Sequence, residues 1–98
     1  MYKLQFHEKA EKEYTAAYVW YELQQEGLGD RFKLHVDAIV KKLLKQPLYF
    51  GYTKKPYREV SVFKFPYTIV FKLINKTNTV FISAVYHTSR NPKKKQRQ

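Results

Sequence analysis

The chain has 98 residues, enough for one domain, and 44% of them are hydrophobic, so that it can form a core of its own. It contains no cysteine, which excludes disulfides, thiolate nucleophiles and cysteine-based metal sites. The 19 Lys and Arg against 8 Asp and Glu give a formal charge of +11, which favours nucleic acid, an acidic protein or an anionic membrane surface as partner. No apolar stretch has the length of a membrane span, and the first residues lack the apolar core of a signal peptide, so we expect a cytoplasmic protein.

The first half of the sequence predicts one strand and two helices. Apolar and polar residues alternate over residues 2–6, which is typical of a half-buried strand. Apolar residues then recur at helical spacing over residues 8–26, until the glycines of residues 27–29 interrupt the pattern. A second helical pattern begins near Asp30, which could cap that helix or complement its dipole, and Pro47 ends it. The short connection predicts an antiparallel helical hairpin.

The second half of the sequence predicts a loop and three strands. We expect the loop over residues 48–56 and strands over residues 57–63, 67–73 and 79–86, with turns between them. The last strand is almost entirely apolar, as expected for a central or doubly covered strand. The element order β-α-α-β-β-β indicates an α+β fold, in which the helical hairpin packs on one face of a mostly antiparallel sheet.

The exit of the last predicted strand carries the residues with the clearest chemistry. His87 and Arg90 follow one another at short spacing, and a run of cations comes directly after them. A dense positive charge beside a strand exit indicates a site for an anionic partner. We expect one domain over residues 1–92, followed by a basic, flexible tail over residues 93–98.

Five features, in this order, resemble the RelE/ParE superfamily of toxins from bacterial type II toxin–antitoxin systems. They are the helical hairpin, the LLKQP sequence of residues 43–47, the pair Tyr57-Arg58, the FPYTIVFK sequence of residues 65–72 and the VYHTSRNP sequence of residues 85–92. The resemblance extends over residues 2–92 and is most specific in the Phe-Pro-Tyr strand opening and the His-x-x-Arg-x-Pro exit. It implies an acidic antitoxin as the cognate partner.

Within this superfamily the sequence is more similar to the ParE branch of plasmid stabilisation toxins. The mRNA-cleaving RelE branch usually carries an Arg just after an aromatic residue in the third strand, and Thr68 stands at that position here. The resemblance therefore implies a toxin that inhibits growth by binding an essential target, with DNA gyrase as the implied target, rather than an enzyme. Two alternatives stay open: a ribosome-dependent mRNA endoribonuclease of RelE type, and a basic binding module without toxicity.

The candidate site residues differ between these alternatives. Metal-independent RNA cleavage needs an acid or base and cations for the phosphate, for which the candidates are His87, Arg58 and Arg90. Binding of a target or nucleic acid would use a larger set: Lys54, Lys55, Arg58, Tyr67, Tyr86, His87, Arg90, Lys93, Lys94 and Lys95. A structural role is equally open for His87, which could hydrogen-bond the backbone at the strand end. Whether Arg58 and His87 share a face depends on strand register, which the sequence does not determine.

Two further expectations concern metals and the first helix. The 3 histidines are scattered without a carboxylate cluster, so we expect no metal site, and no motif indicates a cofactor. We expect Tyr14, Tyr18 and Tyr21 to pack in the core. Trp20 lies off their line and could belong to a binding surface.

Overall fold

A mixed five-stranded sheet carries both helices on one of its faces in the computed structural model, which describes residues 1–89. The elements are β1 (Lys3–Phe6), α1 (Glu8–Gln24), α2 (Leu28–Lys45), β2 (Tyr52–Lys54), β3 (Tyr57–Ser61), β4 (Tyr67–Ile74) and β5 (Thr79–His87), with 3-10 turns at Pro47–Tyr49 and Asn75–Thr77. The sheet order is β1-β5-β4-β3-β2, and only the pairing of β1 with β5 is parallel. The predicted α+β fold and the mostly antiparallel sheet are confirmed.

The predicted loop over residues 48–56 is not wholly irregular. It contains part of the first 3-10 turn and an additional edge strand, β2, which pairs with β3 through Tyr52 opposite Arg58 and Lys54 opposite Tyr57. A strand of three residues is too short for an alternating pattern to be visible in the sequence. The extended conformation of β2 depends instead on hydrogen bonds to the outer edge of β3.

Backbone N–H groups at the start of α2 donate hydrogen bonds to a side chain of α1. The helix begins after Gly27, whose φ of 86° is left-handed, and Asp30 lies in its first turn, where a negative charge complements the helix dipole. Asp30 does not cap the helix. The carboxylate of Glu22 accepts the backbone N–H groups of Gly27 at 3.2 Å and Asp30 at 3.0 Å. Glu22 therefore satisfies donors that the helix start leaves without intrahelical partners.

The two helices pack closely against each other at Gly29. A Cβ atom at this position would lie 2.6 Å from the Tyr18 carbonyl oxygen and 2.6 Å from Cγ of Glu22. The first of these neighbours is backbone and cannot rotate away. The glycine thus permits a hairpin tighter than any other residue would allow.

Phe32 is the centre of the core between the helices and the sheet. It is fully buried, and its ring centroid lies 5.3 Å from that of Tyr21, 5.2 Å from that of Phe65 and 5.3 Å from that of Tyr67. Such tilted and edge-on arrangements are the favourable ones for aromatic pairs. The sheet completes this core with buried aliphatic and aromatic side chains, among them Ile69, Phe71, Val80, Ile82 and Val85.

Replacement of Phe32 by Ala should lower the free energy of unfolding by about 3–5 kcal/mol, because it removes a ring from a site with no room to collapse. The matched control on the same helix is Leu34→Ala, whose side chain is 67% exposed and whose loss should cost under about 0.5 kcal/mol. Urea denaturation followed by circular dichroism measures both values. A similar loss of stability in the two variants would contradict this account of the core.

Tyr14 carries a buried hydroxyl that has no hydrogen-bond partner among the described residues. Burial, with Asp37 nearby, raises the pKa of the Tyr14 phenol above its ordinary value of 10.0. A raised folded-state pKa means that the neutral phenol contributes stability below pH 10, which is lost as the pH rises through the folded-state value. Because Tyr14→Phe removes both the unpaired hydroxyl and this titration, we expect unchanged or slightly higher stability at pH 7, by up to about 1 kcal/mol.

The same variant should show a smaller loss of stability between pH 10 and 12 than the unmodified protein. Some loss remains, because burial also raises the pKa of Tyr21 and the hydrogen bond to Asp30 raises the pKa of Tyr18. Urea titrations at several alkaline pH values measure the difference. Identical pH profiles for the two proteins would show that Tyr14 does not contribute.

Candidate functional site

Strand register decides which of the predicted site residues meet. Arg58 of β3 lies opposite Phe71 of β4, and Tyr67 of β4 lies opposite His87 of β5. Phe71 and Tyr67 both contact the core under the helices, so Arg58 and His87 lie on the same side of the sheet. Their partners Phe71 and Tyr67 are four residues apart on β4, however, and β4 lies between them, which separates their Cα atoms by roughly 16 Å. The structure does not bring these two residues together.

Arg58 is held at the β2 edge of the sheet by two neighbours. Its Nη1 atom donates a hydrogen bond to the Phe50 carbonyl oxygen at 2.6 Å, and its Cζ atom lies 3.9 Å from the ring centroid of Tyr52. Lys54 and Lys55 lie at the same edge and are exposed. This end of the molecule thus groups the first three cations of the predicted binding set.

His87 lies at the exit of β5 beside Tyr67, with 5.3 Å between the two ring centroids. Its Nδ1 atom accepts a hydrogen bond from the backbone N–H of Ser89 at 3.2 Å and lies 2.7 Å from the Ser89 Oγ atom. Because Nδ1 is the acceptor for the backbone donor, a neutral ring carries its proton on Nε2. Nε2 is then the nitrogen that can donate a hydrogen bond to a ligand.

Tyr86 and Thr68 face the other side of the sheet. They lie opposite each other on β5 and β4, and Tyr86 packs against a small outer cluster with Tyr57, Val70 and Ala84. The side chain of Tyr86 therefore points away from those of Tyr67 and His87. Thr68, the residue that distinguishes this sequence from the RelE pattern, is 6% exposed. Four members of the predicted set, Arg90, Lys93, Lys94 and Lys95, lie outside the described residues.

A groove of about 1110 Å³ runs between α1 and the ends of β4 and β5 and contains Tyr67 and His87. The α1 side contributes Lys12, Glu13, Ala16, Ala17, Trp20 and Tyr21, and the sheet side contributes Pro66, Tyr67, Val85, Tyr86, His87 and Ser89. Small alanine side chains on one wall leave the space, and aromatic rings line much of the rest. We refer to these residues as the α1–β5 groove.

The sequence does not decide whether Trp20 belongs to a binding surface. In the structure it lies at the rim of the α1–β5 groove. It is 55% exposed and contacts Tyr21 edge-on, with 5.1 Å between the ring centroids. It is one of four outward-facing apolar residues on α1, at a spacing that a helix brings onto one side: Ala16, Val19, Trp20 and Leu23. The spacing of this second stripe is present in the sequence. It is difficult to recognise there, because it lies next to the larger stripe of tyrosines on the same helix.

The tyrosine stripe of α1 is buried only in part. Tyr21 is buried and Tyr14 packs against the core, as predicted, whereas the prediction for Tyr18 is wrong. The Tyr18 hydroxyl donates a hydrogen bond to the carboxylate of Asp30 at 2.6 Å, on the exposed side of the hairpin. The close approach of the helices at Gly29 brings these two groups within reach.

The described part of the molecule contains neither a group of metal-ligating side chains nor a helix that could cross a membrane. Among residues 1–89, no three His, Asp or Glu side chains are grouped so that they could hold a metal ion. Neither helix in these residues is long and apolar enough to cross a membrane.

Several solved structures share this fold, among them the following three. The isolated RelE toxin of E. coli matches with a TM-score of 0.70 at 19% identity, covering 94% of this chain and 89% of that one. The chromosomal ParDE toxin–antitoxin system of P. aeruginosa matches with a TM-score of 0.76 at 15% identity, covering 91% of this chain and 98% of that one. The intact E. coli RelBE complex matches with a TM-score of 0.71 at 20% identity, covering 92% and 100%. At these identities the likeness defines the fold, that of the RelE and ParE toxins.

The family model described as "ParE toxin of type II toxin-antitoxin system, parDE" matches residues 4–92. The chain therefore belongs to the ParE toxin family of type II toxin–antitoxin systems. A comparison with curated proteins gives no significant match.

Glu13 closes the strand edge inside the groove, because its carboxylate accepts the Val85 backbone N–H at 3.0 Å. Glu13→Ala should leave this amide without its protein partner and lower the free energy of unfolding by about 1–3 kcal/mol. Faster hydrogen exchange at the Val85 amide, measured by NMR, should accompany the loss. Glu11→Ala is the control, because Glu11 is exposed on the same helix; equal effects of the two variants would refute the assignment.

Proposed function

We propose that this protein is a ParE-like toxin that inhibits growth in the cytoplasm by binding an essential target through the α1–β5 groove, with DNA gyrase as that target. Family membership supports the toxin role. The observation that carries the binding mode is the groove itself, which joins an exposed tryptophan, small alanines and the His87–Tyr67 pair at one strand exit. Exposed aromatic residues beside a cleft are typical of protein interfaces.

The arrangement of cations supports binding rather than RNA cleavage. A metal-independent ribonuclease needs its acid or base and its phosphate-binding cations around one phosphate. Arg58 and His87 flank β4 on opposite sides, at positions four residues apart along it, and the Arg58 guanidinium already contacts the Phe50 carbonyl and the Tyr52 ring. Thr68 occupies the position of the RelE arginine on the opposite side of the sheet from His87.

An acidic antitoxin as cognate partner is supported by the charge and by the structural neighbours. Two of these are complexes of a toxin with its antitoxin, ParDE of P. aeruginosa and RelBE of E. coli. A formal charge of +11 on 98 residues gives a strong field that attracts an acidic protein. Binding to such a partner would also relieve the self-repulsion of the free protein.

Induced expression of the protein should arrest growth, and purified protein should inhibit DNA supercoiling by gyrase. Trp20→Ala should weaken inhibition about tenfold or more, because a tryptophan that becomes buried in an interface contributes about 2 kcal/mol or more. Its side chain is largely exposed, so that the fold should persist. Leu34→Ala is the control: this residue is exposed on α2, is not part of the groove, and should leave inhibition unchanged.

Three outcomes would each point elsewhere. Normal supercoiling at excess toxin, with growth arrest intact, would exclude gyrase as the target. New cleavage inside codons of translated message that disappears in His87→Ala, detected by primer extension, would establish the endoribonuclease. Absence of growth arrest with folded protein present in the cell would establish a binding module without toxicity.

A further inference from the structure

Charge is segregated along this chain. Residues 1–37 contain 5 Lys and Arg against 7 Asp and Glu, whereas residues 38–89 contain 9 Lys and Arg against a single acidic residue, Glu59. The two ion pairs found among the described residues, Lys12–Glu8 and Lys33–Asp37, both lie in the first part. The positive field of the described fold therefore comes from its second half.

Cations and aromatic rings of this second half form one continuous run of contacts from the end of α2 to β2 and β3. The Lys42 ammonium lies 4.6 Å from the ring centroid of Tyr49, whose ring lies 5.3 Å from that of Phe50. The Phe50 carbonyl accepts from Arg58, which stacks on Tyr52. The Lys55 ammonium in turn lies 5.1 Å from the Tyr52 ring centroid. We call Lys42, Tyr49, Tyr52, Lys54, Lys55 and Arg58 the cationic edge.

The aromatic rings of the cationic edge are open to solvent. Tyr49 is 69% exposed and Tyr52 is 50% exposed, although rings of this size gain free energy when they are buried. The lysines beside them are exposed as well. Arg58 fixes Tyr52 from one side, so that its ring is held in place before any ligand arrives.

We propose that the cationic edge is a binding surface for single-stranded nucleic acid, separate from the α1–β5 groove. The ammonium groups of Lys42, Lys54 and Lys55 bind phosphates, and bases stack on the exposed rings of Tyr49 and Tyr52. A positively charged surface with aromatic rings on which bases can stack is the arrangement that binds a single strand without reading its sequence.

The exposed rings favour this ligand over the other anionic partners. An acidic peptide satisfies the lysines but has no flat surfaces to cover two tyrosine rings. Duplex nucleic acid keeps its base faces stacked inside the helix, so that the rings would find only phosphates and sugars. Single strands alone offer both groups together.

Fluorescence anisotropy with a labelled thymidine 12-mer and the full chain tests the proposal. Tyr49→Ala and Tyr52→Leu should each weaken binding on the order of tenfold, because each removes one stacked base. The slope of log affinity against log salt should stay the same, since no charge changes. Phe63→Ala is the matched control: Phe63 is 66% exposed, has the Lys64 ammonium 5.5 Å from its ring centroid, and is not part of the cationic edge.

A second pair of variants separates charge from stacking. Lys54→Gln should reduce the salt slope by about 0.7, the value for one phosphate contact on a single strand. Lys76→Gln removes an equal charge at the turn between β4 and β5 and should reduce the slope less. Thermal unfolding by circular dichroism verifies that each variant is folded. The cationic residues 90–98 are identical in all variants, so differences between them report on the cationic edge.

Several results would overturn the proposal. They are no binding of the 12-mer by the unmodified protein, tyrosine variants that bind as well as Phe63→Ala, equal affinity for a duplex, or equally effective competition by an aspartate-rich peptide of the same charge. None of these results bears on gyrase inhibition or growth arrest. Failure of the nucleic-acid surface and failure of the proposed toxin target are therefore distinguishable.

Discussion

The packing of the helical hairpin on the sheet through the Phe32 ring is the contact on which the rest of the structure depends. Phe32 contacts Tyr21 of the first helix as well as Phe65 and Tyr67 at the beginning of β4. It therefore connects the three elements that converge beside the groove. Tyr67 in turn places its ring against His87, so that the geometry of the candidate site follows directly from the geometry of the core.

The first helix carries apolar residues on two sides, of which one packs in the core and the other is exposed. Its inner side supplies Ala10, Ala17 and Tyr21 to the core, while its outer side leaves Trp20 and Leu23 exposed. In an ordinary amphipathic helix, which buries only one side, the side that faces water carries polar residues. The outer stripe borders the α1–β5 groove, whereas β2 and β3 of the cationic edge lie across β4 from β5. The fold thus holds two chemically distinct surfaces apart on one rigid sheet.

The sequence predicts the helices, the order of the elements and the helix-facing side of β4 well, because these depend on periodicities that local residues carry. Strand register does not have such a signal. Between Val70 and Phe71 the pairing with β5 shifts by one residue, so that Ser83 is the additional residue of a bulge and both Ile82 and Val85 reach the helix-facing core. This bulge, together with the short strand β2, decides where His87 and Arg58 lie, and neither feature can be recognised from composition or spacing.

The unequal lengths of β1 and β5 have a consequence for self-association. β1 accompanies β5 only as far as Ile82, and the backbone N–H of His7 donates to the Ile82 carbonyl at that point. Beyond it, no strand within residues 1–89 pairs with β5 on that side, and an open strand edge can recruit a strand from another molecule and so promote aggregation. The Glu13 carboxylate occupies the Val85 amide on this stretch. An incoming strand would have to displace this carboxylate of the neighbouring helix before it could pair with β5. The hydrogen bond therefore disfavours edge-to-edge association at this stretch.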